Sequence, residues 1–150
     1  MTKAVYAGSF DPFTLGHLDI VEQAAPLFDE VTILICDNSA KTRMTNAFQM
    51  SIMIERCCKK YPNVTVDITK GLVGDYCGLY EYEYLIRGLR NTSDYLYEEN
   101  IAKINYEINS DLKTIYFRAK NEAISSSMVK ELYKYGKAVD KYLPEGVTMI

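Results

Sequence analysis

The stretch that decides the fold is KAVYAGSFDPFTLGHLDIV, residues 3–21. Its first six residues are mostly apolar and predict a buried strand that ends at Gly8. After the turn, apolar side chains repeat at the spacing of one helix face, at Leu18, Val21, Ala25 and Phe28. The helix is expected to kink or thin near Pro26, which has no N–H for the helical ladder. A strand, a turn and a helix in this order are typical of a parallel α/β sheet.

The alternation of strands and helices continues through the rest of the chain. Strands are predicted at residues 3–8, 30–36, 63–69, 82–88 and 112–117. Helices are predicted after residue 17 and at 46–61, 93–109 and 124–136, with a loop or short helix at 70–80. Ser93 or Asp94 is the expected N-cap of the helix at 93–109, and Gly136 the expected C′ residue of the last helix. The predicted fold class is therefore α/β: a single Rossmann-like, doubly wound domain over residues 1–150, with a five-stranded parallel sheet and helices on both faces.

Composition and charge argue against several classes of binding partner. The chain carries a net charge of −3, which argues against nucleic acid as the main partner because binding to a phosphate backbone needs a basic face. The sequence contains no apolar run long enough to span a membrane and no signal-peptide pattern, so we expect a cytoplasmic protein with no membrane partner. The cysteines lack the spacing of a zinc site and are interpreted as reduced thiols, at Cys36, Cys57, Cys58 and Cys77.

The turn after the first predicted strand carries the first candidate site residues, because ligands of such sheets bind beyond the carboxyl ends of the strands. Gly8, Ser9 and Gly16 allow a ligand to approach the backbone closely. Thr14 and His17, the only histidine, are three residues apart and share a face of the first helical turn, where free N–H groups suit phosphate. A neutral imidazole there would donate a hydrogen bond to an oxyanion, whereas a protonated one would add positive charge. The alternative is a capping turn with a surface histidine.

The other predicted strand ends add cations and hydroxyls. Lys41 and Arg43 follow the second predicted strand, and Arg87 and Arg90 flank Gly88 at the end of the fourth. Residues 125–127 are three consecutive serines at a helix start, with Lys130 one turn on, and this arrangement suits the terminal phosphates of a nucleotide. Solvated surface cations and ordinary helix caps are the alternatives. No second histidine and no suitable carboxylate pair is present, so the residues favour a phosphate cradle that stabilises charge over a hydrolase site.

Three motifs in this order resemble those of one enzyme family: GSFDPFTLGH, RGLR and ISSS. TxGH is similar to the (H/T)xGH signature of a nucleotidyltransferase superfamily, and the three together resemble the bacterial phosphopantetheine adenylyltransferases. The resemblance extends over nearly the whole chain. It implies transfer of the adenylyl group of ATP to 4′-phosphopantetheine, giving dephospho-coenzyme A and pyrophosphate, with Mg²⁺ accompanying ATP. It also implies a homohexamer and binding of coenzyme A as a feedback ligand.

The resemblance implies roles for individual residues. The implied catalytic residues are His17, Lys41 and Arg90, with His17 stabilising the transition state and no covalent intermediate. The implied ATP-binding residues are Ser9, Phe10, His17, Gly88, Leu89, Arg90, Glu98, Asn121, Glu122, Ala123, Ile124, Ser125, Ser126 and Ser127. The implied phosphopantetheine-binding residues are Ser9, Thr14, Lys41, Val73 and Arg87. No side chain is implied as a metal ligand.

The chain departs from the family pattern in several places. Residues 41–43 read KTR where the family has Lys-Lys-Pro, so Thr42 replaces one cation and Arg43 takes the next position. Tyr106 stands where an arginine is common, the segment before ISSS is about two residues shorter, and residues 71–84 are atypical where the pantetheine arm would pack. The atypical stretch at 71–84 leaves open a nucleotidyltransferase for another phosphate acceptor. Two further alternatives are a non-catalytic module that binds nucleotide or coenzyme A, and a flavodoxin-like protein that binds flavin.

Overall fold

The strands form the parallel sheet that the sequence predicts. The computed structural model describes residues 1–37 and 42–149, and within these ranges five strands make one sheet in the order β3-β2-β1-β4-β5. The strands are β1 (Lys3–Gly8), β2 (Glu30–Cys36), β3 (Val64–Thr69), β4 (Tyr84–Leu89) and β5 (Lys113–Arg118). Every pair of neighbours is parallel, and β1 pairs with β2 from Lys3 opposite Glu30 to Gly8 opposite Ile35. The predicted α/β class with a five-stranded parallel sheet is confirmed.

Helices follow the strands along the chain. The α-helices of the described residues are α1 (Leu15–Ala24), α2 (Ala47–Cys57), α3 (Val73–Leu79), α4 (Thr92–Ile108) and α5 (Ser126–Lys134). Short 3₁₀ turns lie at Ala25–Leu27 and Asp140–Tyr142. The thinning expected near Pro26 is confirmed, because α1 ends at Ala24 and continues as a 3₁₀ turn that contains the proline. None of the helices described is long and apolar enough to cross a membrane.

The start of α4 corrects one prediction. Neither Ser93 nor Asp94 is the N-cap; Asn91 is, and its side-chain oxygen accepts the N–H of Asp94 at 2.9 Å. Asparagine is as good an N-cap as serine or aspartate, and Asn91 comes first along the chain. Asp94 thereby lies inside the first turn, where its carboxylate meets the positive end of the helix dipole.

Helices cover both faces of the sheet, as predicted. Side chains of β1 alternate between the faces. Ala4 and Tyr6 join a buried cluster that includes residues of α1, α2 and α5, whereas Val5 and Ala7 join a cluster that includes Cys77 of α3. On that second face, α4 packs against α3 and β4. The central strand is therefore buried on both sides, which is why its sequence is almost continuously apolar.

The path of the chain through the sheet determines where a ligand binds. From the central strand the chain first moves outward through β2 to β3, and then returns to β4 on the other side of β1. The connections diverge beyond the carboxyl ends of β1 and β4, at Gly8 and Leu89. In doubly wound sheets this switch point leaves a crevice that serves as the ligand site.

The contact between α3 and α4 depends on a glycine and gives a test of the packing. A Cβ at Gly74 would lie 2.7 Å from Cγ2 of Ile108, whereas a Cβ at Gly78 of the same helix would lie 3.6 Å from its nearest neighbour. We expect Gly74→Ala to lower the free energy of unfolding by about 1–3 kcal/mol, because the added methyl group overpacks the contact. We expect Gly78→Ala to raise it by about 0.5–1 kcal/mol, because it removes a helical glycine. Urea unfolding of the two variants measures the difference, and equal effects would contradict the packing described.

Candidate active site

A pocket of about 300 Å³ opens at the switch point of the sheet. It is bounded by the turn from β1 to α1, the end of β4, one face of α4 and the start of α5. Its lining residues are Tyr6, Ala7, Gly8, Ser9, Phe10, Thr14, Gly16, His17, Ile20, Arg87, Gly88, Arg90, Asp94, Tyr97, Glu98, Ala119, Ile124, Ser125, Ser126 and Ser127. Segments far apart in sequence therefore meet here, as the strand-end argument predicts.

His17 is fixed by a reciprocal pair of hydrogen bonds at the start of α1. Thr14 is the N-cap, and its hydroxyl accepts the backbone N–H of His17 at 3.4 Å. The backbone N–H of Thr14 in turn donates to Nδ1 of the imidazole at 2.9 Å. This is a capping box in which histidine occupies the position usually held by Glu or Gln. Because Nδ1 is an acceptor, the neutral ring carries its proton on Nε2.

Aromatic side chains hold the imidazole from the other sides. The ring of Phe10 meets it edge-on at 4.9 Å between centroids, and the ring of Phe13 stacks on it at 5.5 Å. Gly8 makes room for this arrangement, since a Cβ there would lie 3.1 Å from Cζ of Phe10. The imidazole therefore has a fixed orientation at the wall of the pocket.

The surroundings of His17 keep it neutral. Burial, followed by the positive charges of Arg90 and Arg87, lowers the pKa of His17 from its ordinary value of 6.5 to about 3. At physiological pH the ring is consequently an uncharged N–H donor, and its Nδ1 remains able to accept from Thr14. Of the two protonation states that the sequence leaves open, the structure favours the neutral imidazole, with Nε2–H as its donor.

Each arginine of the pocket is oriented by a carboxylate of α4. Arg87 binds both oxygens of Glu98, at 2.6 and 2.8 Å, and also donates to the carbonyl of Ala7 at 3.0 Å. Burial alone would lower the pKa of Arg87, but the hydrogen bonds and charge of Glu98 outweigh it and the pKa is raised. Arg90 binds Asp94 through Nε and its backbone N–H, both at 3.0 Å. Glu98, expected from the resemblance to bind ATP, is thus the partner of Arg87 in this structure.

The three serines at the start of α5 have different surroundings. Ser125 is the N-cap and accepts the N–H of Met128 at 3.2 Å, so the capping interpretation holds for this residue. Ser126 donates from its hydroxyl to the carbonyl of Pro12 at 2.8 Å, which ties α5 to the turn after β1. Ser127 is exposed and lines the pocket. Lys130, expected near a phosphate, instead lies 3.9 Å from the buried carboxylate of Asp11.

Most of the expected site residues converge on the pocket, and a few do not. Four of the expected ATP-binding residues are absent from its lining: Leu89, Asn121, Glu122 and Ala123. Val73 begins α3 and packs against the cluster on the other face of β1, because α3 covers that face. Lys41 lies outside the described residues. Asp94 and Tyr97 also line the pocket and were not expected there, although their spacing with Glu98 on α4 is that of one helix face.

Comparisons with known proteins identify the family. The cytidylyltransferase-like family matches residues 5–132. The phosphopantetheine adenylyltransferase of Cytophaga hutchinsonii is 41% identical over 143 residues, which cover 94% of this chain and 95% of that protein. The protein of the same name from Staphylococcus haemolyticus is 40% identical over 148 residues, with 97% and 92% covered. The chain belongs to the phosphopantetheine adenylyltransferase family. The resemblance read from the three motifs is confirmed.

Solved structures share the fold with this adenylyltransferase family member. A bifunctional NMN adenylyltransferase/ADP ribose pyrophosphatase from Francisella tularensis superposes with a TM-score of 0.69 at 16% identity over 95% of this chain. The chain spans only 44% of the length of that protein. At this identity the similarity concerns the fold alone, and it agrees with the Rossmann-like class.

The protonation state of the single histidine can be measured directly. We expect ¹⁵N NMR to show one imidazole with Nε2 protonated and Nδ1 unprotonated, unchanged from pH 8 to pH 5, because the pKa is lowered to about 3. The Thr14→Ala variant is the control: it removes the hydroxyl but keeps the backbone N–H that holds Nδ1, so it should show the same protonated nitrogen. A titration centred near pH 6.5, or a proton on Nδ1, would contradict the geometry described.

Proposed function

We propose that this protein transfers the adenylyl group of ATP to 4′-phosphopantetheine, giving dephospho-coenzyme A and pyrophosphate, a step of coenzyme A biosynthesis. The family supports the proposal, since relatives at 36–41% identity over nearly the full chain carry the name of this enzyme. The observation that carries it is the pocket itself, in which a neutral histidine lies beside Arg87 and Arg90. Such a pocket suits substrates rich in phosphate and needs no protein nucleophile.

The proposed reaction needs no covalent bond between the protein and a substrate. The phosphate oxygen of the acceptor attacks the α-phosphorus of ATP, the bond from that phosphorus to the bridging oxygen breaks, and pyrophosphate leaves with the electron pair. Positioning and charge stabilisation are sufficient for an in-line displacement of this kind. His17 would donate its Nε2–H to the charge that develops on the α-phosphoryl oxygens. Because Thr14 fixes the ring beforehand, no reorganisation is needed at that moment.

The two substrates would enter from different sides of His17. We assign the phosphate of phosphopantetheine to Ser9, Thr14 and Arg87, with Lys41 as a further cation and Val73 as an apolar contact of the pantetheine arm. We assign ATP to Phe10, residues 88–90, Glu98 and residues 121–127. Support for the ATP side comes from the N-terminus of α5, where free N–H groups and Ser127 border the pocket.

Mg²⁺ fits this proposal as part of the nucleotide substrate. Among the described residues there is no group of three or more His, Cys, Asp or Glu side chains able to hold a metal ion. The two carboxylates that line the pocket, Asp94 and Glu98, are already paired with arginines. The ion would therefore arrive as MgATP and neutralise part of the polyphosphate charge.

Turnover with variants of His17 tests the proposal. We expect wild-type protein to release pyrophosphate from MgATP and 4′-phosphopantetheine, and His17→Ala to lower kcat by about 10²–10³ because one transition-state donor is lost. His17→Gln should fall between the two, since its amide N–H supplies a neutral donor. Between pH 5 and 8 the wild-type kcat should show no step from imidazole titration, because the pKa of His17 is about 3.

Other outcomes separate the alternatives. Turnover of ATP with a different phosphate acceptor, and none with 4′-phosphopantetheine, would show a nucleotidyltransferase of other specificity. Binding of coenzyme A without any turnover would show a non-catalytic module. Either result would overturn the proposed reaction.

We extend the proposal to the quaternary structure, to the location and to one further ligand. Large apolar side chains are exposed on α3 and α4, among them Leu79 at 73%, Leu96 at 63% and Ile104 at 59%. Such surfaces support a homo-oligomer, and the family resemblance points to a hexamer in the cytoplasm that also binds coenzyme A. Sedimentation velocity should give a species of six chains. A monomer at micromolar concentration would contradict this proposal.

A further inference from the structure

The turn after β1 is held to the segment after β2 by a buried carboxylate. Asp11 lies in that turn and is 3% exposed. Its two oxygens accept the backbone N–H groups of Met44 at 2.9 Å and Thr45 at 3.0 Å. A carboxylate that accepts two backbone bonds fixes both loops relative to each other, because each charge-assisted bond is stronger than a neutral one.

The guanidinium of Arg43, in the segment after β2, binds the backbone of the turn after β1. Arg43 donates from Nη1 to the carbonyl of Ser9, from Nη2 to the carbonyl of Phe10 at 3.3 Å, and from Nε to the carbonyl of Thr45 at 2.9 Å. Each loop thus supplies one charged side chain that binds the backbone of the other. We call Asp11 and Arg43 the loop clasp.

The residues that the loop clasp holds border the pocket. Ser9 and Phe10 both line it, and the ring of Phe10 lies edge-on to His17 at 4.9 Å. Phe10 has a φ of +45°, a left-handed conformation that is unfavourable for a residue with a side chain and persists only where the surroundings impose it. The bond from Arg43 to the Phe10 carbonyl is one such constraint.

We propose that Arg43 is a positioning residue that holds the Ser9–Phe10 backbone against His17 through the loop clasp. The inference rests on the proposed function for its kinetic part. Three of the five N–H groups of the guanidinium are directed to carbonyl oxygens, so the side chain acts mainly on the protein backbone. Lysine keeps the charge but carries its donors on one nitrogen instead of a planar fork, so Arg43→Lys should retain only part of the wild-type kcat.

Kinetics of Arg43→Met and Arg43→Lys test the positioning role. We expect Arg43→Met to lower kcat by about 10–100-fold, because a small displacement of the reacting groups has effects of this size. KM for either substrate should rise by no more than about threefold, because Ser9 and Phe10 are each one of several residues that we assign to their substrate. Arg56→Met is the matched control, because Arg56 is exposed on α2 and the variant removes the same charge. A raised KM for the phosphate acceptor with unchanged kcat would show that Arg43 binds substrate directly, and would overturn the proposal.

Hydrogen exchange gives a readout that does not depend on turnover. Amides in residues 8–14 should exchange faster in Arg43→Met than in wild type or Arg56→Met, while those of β5 stay unchanged. Unchanged exchange in residues 8–14 would overturn the proposal even if activity falls. If wild-type protein shows no turnover with any substrate, the proposed function fails, and the exchange comparison alone decides whether the loop clasp positions the turn.

A double-mutant cycle tests whether the two charged residues act together. We expect the kcat losses of Arg43→Met and Asp11→Asn to be less than additive, because both variants release the same turn. Thermal unfolding checks that each variant is folded. If Asp11→Asn fails to fold, Arg43→Lys and the exchange data still decide the outcome. Fully additive losses in folded variants would show that the two side chains act separately and would overturn the loop clasp.

Discussion

The hydrogen bond from the Thr14 backbone N–H to Nδ1 of His17 is the constraint on which the site depends. It caps α1, orients the imidazole and fixes which nitrogen carries the proton, all through one contact of 2.9 Å. A protonated ring would have no acceptor at Nδ1 and would leave an N–H at the helix start without its partner. Helix capping and the neutral state of His17 therefore reinforce each other, and burial beside two arginines favours the same state.

The charges around this histidine are organised by α4. Arg87 lies in β4 and Arg90 directly follows it. The carboxylates that orient them, Glu98 and Asp94, lie on one face of α4, the helix that comes next. Removing either carboxylate would leave a partly buried guanidinium without its partner, which is costly in a protein interior. The pairing also keeps the pocket near electrical balance while it presents two fixed cations at a single edge of the sheet. A polyanionic ligand then meets donors that are already oriented.

Much of this arrangement follows from sequence pattern, because β-strand alternation and helix periodicity decide the sheet, and parallel strands end at one edge. The convergence of His17, Arg87, Arg90 and the serines of α5 could be predicted on that basis. The N-cap of α4 could not, because Asn91, Ser93 and Asp94 all favour that position and only backbone geometry chooses among them. The partners of Arg43 could not be predicted either, since carbonyl groups carry no sequence signal.

The loops of the site are joined to one another mainly by polar side chains that bind backbone groups. Ser126 binds the carbonyl of Pro12, the loop clasp joins the turn after β1 to the segment after β2, and Asp19 of α1 accepts the N–H of Lys120 at 2.9 Å. Apolar packing tolerates exchange of similar side chains, whereas these bonds require a specific donor or acceptor at a specific place. The geometry around His17 therefore depends in part on Asp11, Arg43 and Asp19, which do not line the pocket, and changes in them would alter the site while the sheet stays intact.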